Sequence, residues 1–451
     1  SYIRKKNYIC NDKLNQYSEM NPPPHSHVKY LLISLMLLLS LKVHPVELNF
    51  KYYKAEEGLS SNTVYAALQD SKGFMWFGTE NGLNRFDGYT FTVFQHIPRT
   101  TQSLIHNYVY SLAEDEDEHL WIGTERGVCS YDLNNKLFTT LTLTTEKGIQ
   151  VDGRIQSLVH EGERLWIASA RQGIFLMQSE ELQLYTFEEF KIDRRSSVWV
   201  NSLYKDKENV IWVSVDNTSH QIYRFDDTTE TFLPAFPDLP LEEQRQLRAY
   251  SILEDTFGTI WFGTWTNGLI GVEKRTGTIT GKYLNQEGKD LILHIHQITE
   301  YEPGLLLIGS NDGLTSFRVS PVTGNRLDQH FTEPRISNRF VYPIYKDAEG
   351  GLWIGTYYGG INYASPNRNY FTSYQHIKHE NSISGHVVSC FIEDAKGNIW
   401  IGTEDGGLNE LNNSNGLIRS YNQQNNGIGL SFDNVHALCI VGNELWIGTY
   451  T

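Results

Sequence analysis

Short apolar runs alternate with polar turns along this chain in one recurring order. Each unit reads as a run of strand formers, a turn, the phrase apolar-Trp-Ile-Gly-Thr or a near variant, a Gly-containing turn and two further short runs. The Trp position is filled by Trp76, Trp121, Trp166, Trp212, Trp261, Trp353, Trp400 and Trp446, with Leu307 standing in the sixth copy. A unit of roughly 46 residues filled with short strands predicts stacked four-stranded blades. Within the second copy, Leu120, Ile122 and Thr124 point to one face and Trp121 and Gly123 to the other. A strand apolar on both faces belongs in the middle of a blade covered on both sides. Trp121 is expected to fill the space between blades, and Gly123 to leave room for it.

The turn before the Trp strand is patterned as well. Asp70 and Gly73, Asp255 and Gly258, Asp347 and Gly350, and Asp394 and Gly397 bracket four such turns. The Asp can accept turn amides and the Gly can take the positive φ that closes the turn. Recurrence in most blades marks this Asp as structural, not catalytic.

Seven anchors run from Trp76 to Trp353. Phe50–Ala55 reads as an orphan outer strand that completes the seventh blade and removes the open edges of the ring. Pro366 to Asn369 forms a seam, after which Phe371–Ile377 echoes Phe91–Ile97 and is expected to be the orphan strand of a second ring. The fold class is therefore all-β, a seven-bladed β-propeller followed by the first blades of a second, truncated propeller. The expected divisions are an unpatterned segment 1–19, a signal peptide 20–46, a propeller over 47–369 and the start of a second over 370–451.

Bulk properties narrow the function. Of 451 residues, 38 are Lys or Arg and 53 Asp or Glu, a formal charge of −15 with no basic run, which excludes a nucleic-acid role for this segment. Met20 with the basic stretch to Lys29 and the apolar run Leu31 to Leu41 fits a secretory signal, with an uncleaved N-terminal anchor as the alternative. Either way the repeats are exported. Cys129, Cys390 and Cys439 show no disulfide or metal spacing.

The phrase Asp-x-x-Gly-x-apolar-Trp-Ile-Gly-Thr-x-x-Gly-Gly-Leu-Asn, closest over Gly73 to Phe91, resembles the two-component regulator propeller repeat of Bacteroidetes hybrid two-component sensors. The resemblance covers Phe50 to the end. It implies two propellers in tandem in the periplasm, followed by a β-sandwich, one transmembrane helix and a histidine kinase in the same protein. It further implies an oligosaccharide ligand, control of glycan-utilisation genes, and signalling through rearranged propellers or a homodimer. The turn is also similar to the Asp-box of sialidase propellers, one residue shorter there, so a secreted glycosidase or lyase stays open. So does a protein-interaction scaffold.

No catalytic constellation, cofactor loop or metal-ligand spacing stands out, and the alternating His294 and His296 are weak evidence for a metal. The informative signal is variation where the repeat otherwise holds. At the start of the inner strands one column reads Thr63, Tyr108, Arg154, Trp199, Arg248, His294 and Phe340. Two residues on, it reads Tyr65, Tyr110, Gln156, Asn201, Tyr250, His296 and Tyr342. The turns after the Trp strand open on the same rim. Trp199 and Trp265 are the two tryptophans outside the anchor position, and both map there. Flat rings with Arg and amide groups around a funnel mouth suit a sugar. The expected contacts are Trp199, Trp265, Tyr357, Tyr358, Arg154, Arg171 and Arg248, on a rim that faces the second propeller.

Overall fold

The structure is a computed structural model and describes residues 48–178, 181–185, 199–216, 220–283, 293–322, 324–331, 335–366, 374–377, 381–424 and 429–450. The expected signal segment lies outside the described residues. The chain divides into two compact units between Pro366 and Asn367. Among the described residues no helix is long and apolar enough to cross a membrane.

Among the described residues the first unit is seven four-stranded antiparallel sheets. Blade 1 runs outward through Val64–Gln69, Met75–Thr79, Gly82–Phe86 and Phe91–Phe94. The inner strands of blades 2 to 7 are Val109–Glu114, Ile155–Glu161, Val200–Lys205, Ala249–Glu254, Ile295–Glu302 and Val341–Lys346. Each inner strand lies against the next, and the seventh returns to the first, closing a propeller. Blade 7 takes its outer strand from the other end of the unit: Phe50–Tyr53 pairs antiparallel with Ile361–Ala364, Phe50 opposite Ala364. Across the same seam Gln69 accepts from the Ala348 amide at 2.7 Å and donates to Glu349 at 2.9 Å.

The anchor side chains pack forward. Trp76 sits among Val109, Leu120, Ile122 and Tyr131 of blade 2. Trp353 sits among Val64, Met75 and Phe77 of blade 1, and Leu307 fills the same role against blade 7. Burying one such side chain contributes about 2–3 kcal/mol, so the interblade core is a sum of near-equivalent contacts.

The glycine of the Trp strand serves a different neighbour from the one expected. A Cβ on Gly123 would come within 2.8 Å of Ile155 Cγ2, and one on Gly78 within 2.7 Å of Val109 Cγ1. The space is left for the β-branched residue that opens the next blade's inner strand, not for the blade's own Trp. Gly123 and Trp121 lie two residues apart on one face of the same strand, so each meets the next blade at a different level along it. In blade 4 the position is Ser214, whose hydroxyl accepts from the Ala249 amide instead.

Every inner strand also carries one extra residue near its start. In blade 1 Val64 faces Thr79 and Ala66 faces Gly78, leaving Tyr65 unpaired. The same bulge leaves Tyr110, Gln156, Asn201, Tyr250 and His296 unpaired. In blade 7 the shift spans Tyr342 and Pro343. A bulge bends the strand and re-aims the extra side chain. Beside it, small polar residues tie neighbouring inner strands together: Ser111 donates to the Ile155 carbonyl at 3.2 Å, and Ser251 accepts from the Ile298 amide at 3.0 Å.

The second unit holds one four-stranded sheet, Val388–Glu393, Ile399–Thr403, Gly407–Leu411 and Ile418–Tyr421, and the hairpin Val435–Val441 with Glu444–Thr449. Ile383, Ile401 and Leu411 form its core. Of the expected orphan strand Phe371–Ile377 only 374–377 are described, and these form no strand.

Candidate functional site

The bulge residues of all seven blades converge on one cavity of about 580 Å³ along the ring axis. Its wall includes Tyr65, Tyr110, Gln156, Asn201, Tyr250, His296 and Tyr342 together with Arg154, and among the described lining residues there is no Asp or Glu. The rings form an almost continuous belt. Tyr110 lies 4.9 Å from Tyr65, Tyr65 5.9 Å from Tyr342, and Tyr342 stacks on His296 at 4.0 Å. His296 is 5.7 Å from Trp265, which is 5.1 Å from Tyr250.

Burial pushes the Tyr65 and Tyr110 phenols well above their ordinary range, so both stay neutral donors at any physiological pH. Burial also holds His296 low, and its Nε2 lies 2.7 Å from Asn311 Oδ1. On the opposite arc Arg248 pairs with Asp216 at 2.5 Å and donates to Tyr250 Oη at 3.0 Å, while Asn201 donates to Asp216 at 3.2 Å. Burial raises the Asp216 carboxyl, against the pull of Arg248 and Asn201.

The expected contacts fall into three neighbourhoods. Trp265, half-buried, touches His294 at 4.6 Å as well as Tyr250 and His296, so it belongs to the belt. Tyr357 and Tyr358 pair at 4.1 Å, and Tyr357 reaches Tyr342 at 5.9 Å. Tyr358 is 62% exposed with φ +71°, a strained conformation for a bulky residue. Arg154 lies over the Tyr110 ring at 3.9 Å, whereas exposed Arg171 covers Trp199 at 4.7 Å, and of the seven expected contacts Arg154 alone lines the cavity. Trp199 and Trp265 thus share no ring contact. His294 and His296 both pack on Trp265, and among the described residues no three His, Cys, Asp or Glu gather as metal ligands.

The two sequence columns have different fates. Thr63, in the first, is fully buried. The second column, which supplied none of the seven expected contacts, makes the wall. The signal was present, since aromatics or His fill five of its seven positions, but the bulge that turns them inward leaves no mark in an apolar-polar pattern.

Five segments, 58–81, 103–126, 244–266, 335–358 and 382–405, match the two-component regulator propeller repeat. Each spans an inner strand, the turn and the following Trp strand, and blades 3, 4 and 6, where Ala168-Ser169, Ser214-Val215 and Gly309-Ser310 replace the Gly-Thr pair, fall outside the matches. The protein is a β-propeller that carries two-component regulator propeller repeats. Over 74 residues it is 35% identical to histidine kinase P4 of Formosa agariphila, a match covering 16% of this chain and 5% of that protein. Its fold is similar to the extracellular domain described as hybrid two-component system BT3049 of B. thetaiotaomicron, with a TM-score of 0.63 at 23% identity over 90% of this chain and 52% of that one. The extracellular domain of BT4673 from the same organism gives 0.54 at 22% identity, covering 89% and 51%. The chain thus spans about half the length of these two domains and a small part of the kinase.

Proposed function

We propose that this chain is the ligand-sensing region of a hybrid two-component sensor, held outside the cytoplasm, and that it binds an oligosaccharide at the mouth of the first propeller. The observation that carries the reading is the belt Tyr110, Tyr65, Tyr342, His296 and Tyr250 around one cavity, with Trp265 packed on His296 and Tyr250 beside it. Flat rings stack on the apolar faces of sugar rings, while neutral phenols, Gln156, Asn201 and the Arg248–Asp216 pair offer donors and acceptors to hydroxyls. The repeat family and the extracellular fold relatives support the sensor role. Kinase, membrane and β-sandwich regions of the same protein, and control of glycan-utilisation genes, belong to this proposal. The signal would arise because the ligand favours one arrangement of the sensor over another.

No carboxylate lines the described wall, and those beside it are engaged, Asp216 by Arg248 and Glu125 by Tyr110, which favours binding over glycoside hydrolysis, a reaction that uses two carboxylates. The test is calorimetry of the chain against a panel of plant and host oligosaccharides, with product analysis of the same mixtures. Saturable binding without new products supports the sensor reading. Turnover of a panel member would move the enzyme reading ahead, and silence across the panel would sink the saccharide.

A further inference from the structure

We infer that the saccharide taken at this mouth carries an acidic group, and that Arg154 receives it; this rests on the saccharide reading. The two arginines of the mouth are differently placed. Arg248 is already neutralised by Asp216 at 2.5 Å. Arg154 lies over Tyr110 at 3.9 Å and, among the described residues, makes no ion pair; its Nε, like that of Arg248, is shielded from solvent without an acceptor.

Shortage of carboxylates does not explain the missing partner. The chain holds 53 acidic residues against 38 basic ones, yet none lines the described wall; Glu125, which bonds the Tyr110 phenol beside it, makes no ion pair with Arg154. The other cation on the wall, Lys346, ends its inner strand at the far end of the channel and donates to the Tyr301 carbonyl at 2.6 Å. A guanidinium resting on a ring keeps its Nη edge free for a planar anion, in two parallel N–H···O bonds. Aromatic walls that exclude water strengthen that pairing. A carboxylate or a sulfate satisfies this chemistry.

The experiment is calorimetry of the intact chain against uronate oligosaccharides from pectin and alginate, the same compounds with their carboxyls reduced, and chondroitin disaccharides with and without sulfate. An acidic probe should bind at least about tenfold more tightly than its reduced counterpart, as expected for hydrogen bonds to a charged group. Arg154→Gln should erase that ratio and Arg154→Lys restore part of it, while Trp265→Ala weakens acidic and neutral probes alike. Loss on desulfation but not on carboxyl reduction would assign the anion as sulfate. Melting curves of the variants control for folding, and the Lys variant keeps the test open should Gln disturb Tyr110. Neutral probes binding as tightly as acidic ones, or a ratio unchanged by Arg154→Gln, overturns the role of Arg154 and leaves the saccharide reading standing. Binding of no probe, acidic or neutral, overturns both.

Discussion

The indole of Trp76 donates to Asp70 Oδ2 at 2.7 Å, while the other oxygen of Asp70 accepts the amides of Lys72 and Phe74 at 3.0 and 2.8 Å. One buried carboxylate thus closes the turn and fixes the anchor that packs on the next blade. The pairing recurs at Asp115 and Trp121, Asp206 and Trp212, Asp255 and Trp261, and Asp347 and Trp353, at 2.7–2.8 Å. In blade 3, whose turn is one residue shorter, Glu161 reaches Trp166 at 3.2 Å. Blade 6 has Leu307 in place of Trp and no Asp at this turn. The carboxylate is there because a buried indole N–H needs an acceptor.

Asp70→Ala should therefore destabilise the first unit by about 2–3 kcal/mol, because it strands the indole and two amides at once. Asp70→Asn keeps one acceptor and should cost less. Urea midpoints of the two variants decide the matter, and equal midpoints for Ala and wild type would remove the Asp–Trp pair from the account of stability.

Gly123→Ala should cost about 1–3 kcal/mol, since the new methyl meets Ile155 and the Ser111 hydroxyl in an interior without slack. Shortening the neighbour in Gly123→Ala/Ile155→Ala should recover part of that loss. A double-mutant cycle reads the coupling, and strict additivity would show that the glycine leaves room for something else.

Trp265→Ala should leave the melting temperature within a few degrees of wild type while weakening oligosaccharide binding by about tenfold or more, the loss expected from a desolvated aromatic anchor. Half-burial at the mouth, rather than between blades, is the reason. Unfolding of this variant would mark Trp265 as core.

Acid should weaken the fold through His296 before the carboxylates titrate. Burial lowers its pKa in the folded state, opposed by the Asn311 hydrogen bond and helped by nearby His294. The unfolded chain then binds the proton more readily, so this contribution is complete above a pH of about 6.5 and is lost as the pH falls below it. His106 and His330 are lowered by burial in the same direction. Urea midpoints between neutral and mildly acidic pH should fall less steeply for His296→Gln than for wild type; parallel slopes would discard the assignment.

The lateral order of the fold is written in the repeat. Trp76, its successors and Leu307 set the blades, and Phe50–Tyr53 could be matched to the incomplete seventh blade, because each blade's strands are neighbours in sequence and their alternation records which faces are covered. Periodicity misplaces the partner of Gly123 for a related reason. Its neighbour Ile155 belongs to another blade, and periodicity within one strand carries no information about what faces it from the next. The mouth was less legible still. Arg154 and Trp265 stand out in the sequence because they break the pattern, but Tyr65, Tyr110 and Tyr342 become one surface only when seven bulges turn them inward and the ring closes Tyr342 onto Tyr65. Sequence determined the blade and its count, since local alternation and turn chemistry specify them. The tertiary structure decided the composition of the site, since it depends on one unpaired residue from each blade meeting at an axis that no single repeat contains.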